Sequence, residues 1–454
     1  MKIFHYLLGL PPVRKGGLII YVLDLAREQQ KQGHDVALIV PGSFSKLQRR
    51  KVYRAANYEG LKVYKIKNPV PIPISNGIAE PNLFVENSEQ ADMEPFDEFL
   101  SQTRPDVLHI HSLLGLPPAL VLSAKKWGSR LVYTTHDYYG ICCNVSRMNV
   151  AGENCHNCDF SQCYRCHGNA FSLVRMKIEQ SVAYAIFCRT RFSQKILNEL
   201  MLLKARKQSN LGTIQEAVPA GSIKNIQEAY ARLEAEYRSM LQSMDIMHYN
   251  SNLTRRTYEG VLGQTDGVVL PVMTGHIRDN RRSWDRVDSS SRMLHIGYLG
   301  NDSHAKGLDV LIDVLDHMDN VRLHTYGIDN YHDRDYIVHH NSYRQSELEQ
   351  VYSQFDVLVV PSVWRETFSL ITLEAISYAK PVLVSENVGA RDVLEQLTTE
   401  ATFTTPQELR QMLTELQCDA NKLKTINEKM MRTETDIKLS YKEYAETLVK
   451  ILYA

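Results

Sequence analysis

The chain has 454 residues, which is too long for a single hydrophobic core and is typical of two or three domains. Apolar residues make up 44% and charged residues 23%, the proportions of an ordinary globular protein, which argues against a disordered or fibrous chain. Lys plus Arg and Asp plus Glu both number 52, so no overall charge attracts the protein to nucleic acid or to an anionic membrane.

The N-terminal residues, MKIFHYLLGLPP, contain a short apolar run that ends at Pro11 and Pro12. The run is too brief for the apolar segment of a secretion signal, and no small-residue cleavage site follows it, so it is interpreted as a buried first strand. No segment reaches the about 18 apolar residues that a spanning helix needs. A cytoplasmic protein is therefore expected, and peripheral contact with the inner face of the membrane stays open.

The first third of the chain alternates apolar runs with helical patterns. The run KIFHYLL is followed by the helical pattern LIIYVLDLAREQQKQ and the run DVALIVPG, and the same order returns in DVLHIHS, PPALVLSAKKWG and RLVYTTH. Gly33 and Gly128 each stand where a helix would end before the next strand. This repeated order predicts a parallel sheet covered by helices.

The loop LPPVRKGG precedes the first predicted helix. Gly16 and Gly17 permit backbone conformations that are closed to other residues, and they let a loop approach a ligand closely. Arg14 and Lys15 either supply positive charge for a phosphate near this loop or are ordinary surface charges.

Three histidines lie on two predicted strands or close after them. His136, in YTTHDYYG, follows its strand at the carboxyl end, where a His can hydrogen-bond a ligand hydroxyl. His109 and His111, on the preceding strand, are predicted to face opposite sides of the sheet and to be structural.

Six of the eight cysteines fall between Cys142 and Cys166. Two C-x-x-C pairs, Cys155 with Cys158 and Cys163 with Cys166, are typical of tetrahedral thiolate ligands. Structural zinc that orders this loop is the favoured interpretation, because a closed thiolate site has no open position for catalysis. Only four residues separate the two pairs, fewer than in common zinc ribbons, so an iron–sulfur cluster and reduced thiols are the alternatives.

The middle of the chain changes to long helical patterns such as IQEAYARLEAEYRSMLQSM, which predict a helical insertion. A low-complexity linker, DNRRSWDRVDSSSR, follows, and after it a second strand–helix series runs through MLHIGYLG, VRLHTYG, YIVHH, FDVLVVPS and KPVLVS. Both series predict doubly wound α/β domains. The predicted organisation is a first domain over 1–278, with a cysteine-rich loop at 142–167 and the insertion at about 171–247, a linker at 279–292, a second domain over 293–435 and a final helix over 436–454.

The most informative segment is PSVWRETFSLITLEAISYAKPVLVS, which follows a predicted buried strand. Open α/β sheets bind ligands at the carboxyl ends of their strands. A helix is predicted to begin near Phe368. The backbone N–H groups of Thr367, Phe368, Ser369 and Leu370, together with the helix dipole, then form a site for a diphosphate.

Charged side chains complete this candidate site. Glu366 lies in the loop, and Glu374 lies one or two turns into the helix, where it can accept hydrogen bonds from a ribose. In the segment GYLGNDSHAKGLDVLI, Lys306 precedes another helix and can reach a phosphate as a mobile point charge.

A family resemblance becomes clear in the segment that contains both glutamates. Glu366, seven intervening residues and Glu374, framed by PS-x-W before and EA-x(5)-PV-x-V-S after, resemble the signature of glycosyltransferase family 4. The resemblance extends over residues 1–170 and 246–454. It implies the GT-B architecture, in which two doubly wound Rossmann-like domains face each other across a cleft, here with a helical insertion.

The resemblance also implies an activity. Enzymes of this family transfer a sugar from a nucleotide-diphosphate sugar with retention of the anomeric configuration, and they need no catalytic metal. In the family, the first Glu contacts the sugar, the second contacts the ribose, the Gly pair lies beside the diphosphate, and a His lies in the sugar pocket. The implied catalytic residues are Glu366, His136 and Lys306; the implied donor-binding residues are Gly16, Gly17, Arg14, Lys306, Thr367, Phe368, Ser369, Leu370 and Glu374.

The sequence departs from the family at one position. Family members usually carry an Arg directly after the first Gly of the GYLG segment, where this chain has Tyr298. A non-catalytic GT-B partner subunit of another glycosyltransferase is therefore the alternative hypothesis, although the presence of both glutamates argues against it. Resemblance to bacterial surface-polysaccharide enzymes implies a glycan or lipid-linked acceptor, whereas nucleic acid is not an expected partner, because no basic, aromatic-rich segment is present.

Overall fold

The computed structural model describes residues 1–45, 47–73, 77–78, 80–82, 92–156, 159–167, 170, 172–182, 184, 220–288, 292–432 and 440–454. Cys158, a predicted metal ligand, lies outside these residues, as does the middle of the predicted insertion. Two α/β sheets, each covered by helices on both faces, organise the described chain.

The first sheet contains eight strands in the order β3-β4-β2-β1-β5-β6-β7-β8. They are β1 (Lys2–Tyr6), β2 (Asp35–Pro41), β3 (Lys51–Tyr58), β4 (Leu61–Lys67), β5 (Val107–Ile110), β6 (Arg130–Thr134), β7 (Ile246–Tyr249) and β8 (Gly267–Val269). All neighbours are parallel except β3 and β4. The central strands are buried on both faces, which explains their continuous apolar runs.

The helices of the first domain are α1 (Gly17–Lys31), α2 (Glu94–Thr103), α3 (Pro118–Lys126), α4 (Phe160–Cys166), α5 (Leu173–Glu179), α6 (Ala220–Gln242) and α7 (Asn252–Leu262). Gly33 and Gly128 follow α1 and α3 with φ angles of 87° and 78°, in the left-handed region that favours glycine after a helix. Tyr237 and Leu241 of α6 are buried in the core of this domain. Part of the predicted insertion therefore contributes to the core, and its last two predicted residues lie in β7.

The second sheet contains six parallel strands in the order β11-β10-β9-β12-β13-β14. They are β9 (Leu294–Tyr298), β10 (Val321–Tyr326), β11 (Ile337–His340), β12 (Val357–Val360), β13 (Val382–Ser385) and β14 (Thr402–Phe403). Its helices are α8 (Leu308–Leu315), α9 (Leu348–Tyr352), α10 (Leu370–Ser377), α11 (Arg391–Leu397), α12 (Pro406–Cys418) and α13 (Ala420–Arg432). The predicted fold class, two doubly wound α/β domains, is confirmed.

The described part of the linker packs against the second domain. Asn280 N–H donates to the Ser377 carbonyl at 2.9 Å, and Trp284 Nε1 donates to the Tyr378 carbonyl at 2.8 Å. Residues 279–292 therefore stay the predicted linker, and these hydrogen bonds hold its described part against the second domain.

The last helix, α14 (Tyr441–Leu452), returns to the first domain. Its Tyr444 hydroxyl lies 3.0 Å from that of Tyr21 on α1, and Arg130 Nε donates to the Leu452 carbonyl at 2.9 Å. Among the described helices, none combines the length and apolar character that a membrane crossing requires.

Candidate active site

Lys306, Ser362 and Glu366 meet beyond the carboxyl ends of β9 and β12. Lys306 Nζ donates to Glu366 Oε1 at 2.5 Å, and Ser362 Oγ donates to Glu366 Oε2 at 2.7 Å. Glu366 is only 9% exposed, and a buried carboxylate is stable when both oxygens have such partners. The Lys306 ammonium also lies 5.4 Å from the ring centroid of Trp364, a distance at which a cation is attracted to the ring face.

Glycine at position 307 allows this meeting. Gly307 has φ 73°, and a Cβ there would lie 1.9 Å from the carbonyl oxygen of Pro361 at the end of β12. Any side chain would push apart the two segments that carry Lys306 and Glu366. The loop is also held from the next strand, because Glu366 N–H donates to the Asn387 carbonyl at 2.8 Å.

The helix after this loop begins two residues later than the sequence predicts. Ser369, with φ 99°, precedes α10, which starts at Leu370. Thr367 and Phe368 therefore belong to the loop, and the unpaired helical N–H groups are those of Leu370 and the residues after it. Lys306, Glu366 and Ser369 line one cavity at this helix start.

Thr367 joins this loop to the first domain. Its Oγ1 donates to the His136 carbonyl at 3.0 Å, and its own carbonyl accepts from Ser251 Oγ and Thr254 Oγ1, each at 2.9 Å. The predicted sugar-pocket His is thus brought beside the loop of Glu366.

The glycine pair faces the start of α10 across the cleft. Gly16 has φ 127° and precedes α1, and a Cβ on Gly17 would lie 3.1 Å from Leu370 Cδ1. Arg14 instead lines a separate cavity of the first domain, which Tyr53 and Gln180 also border. Burial there lowers the pKa of Arg14.

Glu374 lies one turn into α10 and is 9% exposed. Its Oε1 accepts from His276 Nε2 at 2.8 Å and from Gln345 Nε2 at 3.0 Å. Sequence reasoning missed both partners, because neither lies in a recognisable motif.

His136 and Asp137 follow β6 at the cleft. Burial lowers the pKa of His136 to about 3 and raises the pKa of Asp137 to about 7. The His136 ring packs edge-on against Tyr21, with centroids 5.0 Å apart. Asp137 Oδ1 accepts from Tyr139 N–H at 2.8 Å. The sequence analysis did not select Asp137, although its place after a strand was a usable signal.

Comparison with known proteins identifies the class of this chain. Residues 15–201 match the family described as Glycosyltransferase Family 4, and residues 292–419 match Glycosyl transferases group 1. The chain is a GT-B glycosyltransferase. Both matched families are enzymes of this class, which favours an enzyme over a non-catalytic partner subunit. No curated protein sequence matches the chain.

Solved structures share the fold of this glycosyltransferase along its whole length. Sucrose-phosphate synthase from Thermosynechococcus elongatus is 13% identical, with 100% of this chain and 96% of that chain covered and a TM-score of 0.55. WaaG, a glycosyltransferase involved in lipopolysaccharide biosynthesis, is 13% identical, with 99% of each chain covered and a TM-score of 0.55. HepE of Anabaena, solved with UDP and glucose, is 12% identical, with 100% of each chain covered and a TM-score of 0.52.

Residues of the cysteine-rich loop of the glycosyltransferase line one cavity. The lining includes Cys142, Cys143, Cys155, Cys163, Cys166 and His167. Cys163 and Cys166 belong to α4, which packs on α6. Among the described residues, however, the one group of three side chains close enough to share a metal ion is His5, His109 and His111.

The same loop supports the segment before Glu366. Asn154 Nδ2 donates to the Val363 carbonyl at 2.7 Å, and Arg365 N–H donates to Asn154 Oδ1 at 3.1 Å. Arg365 Nη2 also lies 3.0 Å from His156 Nδ1. The loop therefore reaches across the cleft to the second domain, in addition to following the His136 strand.

Proposed function

We propose that this glycosyltransferase moves a sugar, with retention of the anomeric configuration, from a nucleotide-diphosphate sugar to a glycan or lipid-linked acceptor in polysaccharide biosynthesis. The observation that carries the proposal is the Lys306–Glu366 pair, which lies at the start of α10 in a cavity at the strand ends. A cation, a helix N-terminus and a buried carboxylate at one point match a diphosphate that is joined to a sugar.

In this proposal Lys306 and the N–H groups at the start of α10 hold the diphosphate, and Gly17 lets the first domain approach it. Glu366 accepts hydrogen bonds from hydroxyls of the transferred sugar, and Glu374 accepts them from the ribose. Lys306 turns from Glu366 to the phosphate when the sugar hydroxyls take its place on the carboxylate.

Tyr298 makes Lys306 the main cation of the proposed site. The Tyr298 side chain is 2% exposed, and its hydroxyl donates to the Asn301 carbonyl at 2.5 Å. A buried phenol in this place adds no positive charge. The charge that develops on the departing diphosphate is then stabilised by Lys306 and the helix N–H groups.

The bond between the anomeric carbon and the diphosphate breaks while the acceptor hydroxyl approaches from the same face. The departing phosphate oxygen takes the acceptor's proton, which accounts for retention without a protein nucleophile. This route requires no bound catalytic metal.

The acceptor is proposed to enter from the first domain, where the cavity at Arg14 opens near the Gly pair. UDP and glucose, with which HepE was solved, make a UDP-sugar the first donor to test. The part of WaaG in lipopolysaccharide biosynthesis supports a lipid-linked acceptor at the inner face of the membrane.

A structural zinc in the cysteine-rich loop is the second part of the proposal. Cys155, Cys163 and Cys166 line one cavity, and the thiolate form of cysteine is a ligand that zinc prefers. The four predicted ligands are Cys155, Cys158, Cys163 and Cys166. Because the neighbouring residues Asn154 and His156 contact the loop before Glu366, zinc would order that loop without taking part in the reaction.

The test is a screen of UDP-, GDP- and ADP-sugars by thermal shift, because a ligand that binds only the folded protein raises its melting temperature. The product formed from the donor that binds is then examined by NMR for its anomeric configuration. An inverted product contradicts the retaining route, and the absence of any donor-dependent shift or transfer contradicts the proposal as a whole.

A further inference from the structure

Eight hydrogen bonds join buried and half-buried groups of the first domain into one hydrogen-bonded chain that runs from the Leu270 carbonyl to His136. The participating side chains come from β1, β5, β6, β7 and α1, and from three residues that follow an element: His111 after β5, His136 after β6 and Tyr453 after α14. Burial lowers the pKa of His5 and His248 to about 4 and that of His136 to about 3, and keeps those of His109 and His111 well below the usual value. At neutral pH each imidazole therefore carries a single N–H.

The Leu270 carbonyl, at one end of the series of hydrogen bonds, sets the direction of every hydrogen bond in it. A carbonyl oxygen only accepts, so His248 Nε2, 2.7 Å from the Leu270 carbonyl, carries the proton. His248 Nδ1 is then an acceptor and takes the hydroxyl proton of Thr134 at 2.9 Å. Thr134 Oγ1 consequently accepts from His109 Nε2 at 2.6 Å.

The directions of the next two hydrogen bonds, both made by Tyr453, follow in the same way. With Nε2 protonated, His109 Nδ1 accepts from the Tyr453 hydroxyl at 2.7 Å. The Tyr453 oxygen then accepts from Gln29 Nε2 at 3.2 Å, which fixes the orientation of the Gln29 amide.

The Gln29 oxygen completes the assignment. It accepts from His5 Nε2 at 2.8 Å, so His5 Nδ1 accepts from His111 Nε2 at 3.0 Å. His111 Nδ1 then accepts from His136 Nε2 at 3.2 Å. The His136 proton therefore lies on Nε2, and within the described part of the protein the one hydrogen bond of the His136 ring is this one.

We propose that this chain fixes His136 as the Nε2–H tautomer and that Gln29 and Tyr453 are its positioning residues. One consequence rests on the proposed function: His136 Nδ1 offers the transferred sugar a hydrogen-bond acceptor and no donor. A sugar hydroxyl or amide N–H satisfies it. A carboxylate, which only accepts, is repelled, so the site selects against a uronic acid that places its carboxylate there.

The close grouping of His5, His109 and His111 also suggests a metal site, since their ligand atoms lie within 4.8 Å of one another. The hydrogen bonds favour the other interpretation. Both ring nitrogens of each of these three histidines have a partner in the chain, so a metal would have to displace several of them.

The experiment is ¹⁵N NMR of protein labelled at histidine, with the His136 signals assigned by their loss in His136→Gln. The parent protein is expected to show a protonated Nε2 and an unprotonated Nδ1. A protonated Nδ1 in the parent protein overturns the proposal. The proposal is also overturned if the expected histidine ¹⁵N chemical shifts appear only when zinc is added. This measurement needs no donor, so it stays separate from the proposed function.

Tyr453→Phe tests the positioning role. Without the hydroxyl, Gln29 can reverse and donate to His5, which reverses each later bond and moves the His136 proton to Nδ1. A second set of His136 signals is expected. The kcat should be about tenfold lower and the donor KM should change less than about twofold, because one hydrogen bond made by a correctly oriented group is lost. Tyr444→Phe, on the helix that directly precedes Tyr453 and outside the series of eight hydrogen bonds, is the control and should retain the parent signals. Identical His136 signals in parent and Tyr453→Phe would overturn the positioning role, and the parent spectrum decides the tautomer should this variant fail to fold.

Discussion

At the scale of single residues, side chains of the second domain donate hydrogen bonds to both oxygens of Glu366, so the charge and the position of this carboxylate are set together. Glu366→Gln keeps the size and one acceptor oxygen but removes the charge. We expect kcat to fall about ten- to a hundredfold with little change in donor KM, because charged hydrogen bonds are worth about 1.5 to 3 kcal/mol. Steady-state kinetics with the exposed neighbour variant Glu386→Gln as control measures this. Parent kinetics in Glu366→Gln would remove Glu366 from the reacting centre.

Glu374 should affect a different kinetic parameter. His276 and Gln345 hold its Oε1, so the carboxylate is oriented before the ribose arrives. Glu374→Ala is expected to raise donor KM about tenfold or more and to leave kcat nearly unchanged, because ribose contacts are equal in the ground state and the transition state. A fall in kcat at constant KM would contradict the ribose assignment.

The raised pKa of Asp137 predicts that the stability of the folded protein depends on pH. Its pKa is about 7 in the folded protein against 3.8 ordinarily, because burial disfavours the carboxylate. The unfolded chain therefore loses this proton at lower pH, and the associated stability is complete below about pH 4 and lost as pH rises through about 7. Asp137→Asn, which keeps the oxygen that Tyr139 N–H uses, should gain about 2 to 4 kcal/mol relative to the parent over this range, since one pKa unit corresponds to about 1.4 kcal/mol.

Denaturant unfolding at several pH values provides the measurement. Asp97→Asn is a control of opposite sign, because the hydrogen bond from Lys126 lowers the pKa of Asp97. That variant should be the less stable one at neutral pH, and the difference should close as the solution becomes acidic. A stability difference for Asp137→Asn that does not vary with pH would show that Asp137 is ionised in the folded protein.

At the scale of elements, the cysteine-rich loop connects a proposed metal site with the loop before Glu366. Cys155→Ser and Cys163→Ser are each expected to lower the zinc content from about one per chain and to reduce kcat, because Asn154 and His156 then lose their fixed positions. Elemental analysis and kinetics are the measurements, and Cys418→Ser on the exposed surface of α12 is the control. A metal-free, fully active parent enzyme would exclude the zinc.

At the scale of the whole molecule, the proposed donor site draws on both domains. Gly17 approaches Leu370, and Thr367 is bonded to Ser251 and Thr254 of the other domain. We expect UDP or a donor analogue to reduce the radius of gyration measured by X-ray scattering, because the diphosphate links groups on both sides of the cleft. Lys306→Ala, which lacks the phosphate cation, should not respond. Superimposable parent profiles with and without the ligand would argue against domain closure.

Much of the architecture was predictable from the sequence because its signals are local. Alternating apolar runs and helical patterns identify a doubly wound sheet wherever the remainder of the chain lies, and glycine at positions 33 and 128 marks helix ends. The segment from Ser362 to Glu374 similarly contains its own strand end, loop and helix. Even there the helix start was predicted two residues early: Ser369, with φ 99°, lies outside the helical region of backbone conformation, and α10 begins after it.

The histidine contacts depend most strongly on how the whole chain folds. Residues two apart on a strand share a face, so the prediction that His109 and His111 face opposite sides was wrong; their ring centroids lie 4.0 Å apart. The partner that orients His109 is Tyr453, 344 positions away, and Gln29 lies 424 positions from the same tyrosine. The two-domain fold and the proposed donor motif could be predicted from the amino-acid order alone, because periodicity and spacing act over a few residues. The proton positions at His136 and the partners of Glu374 required the folded chain, because hydrogen bonds between distant segments leave no local pattern.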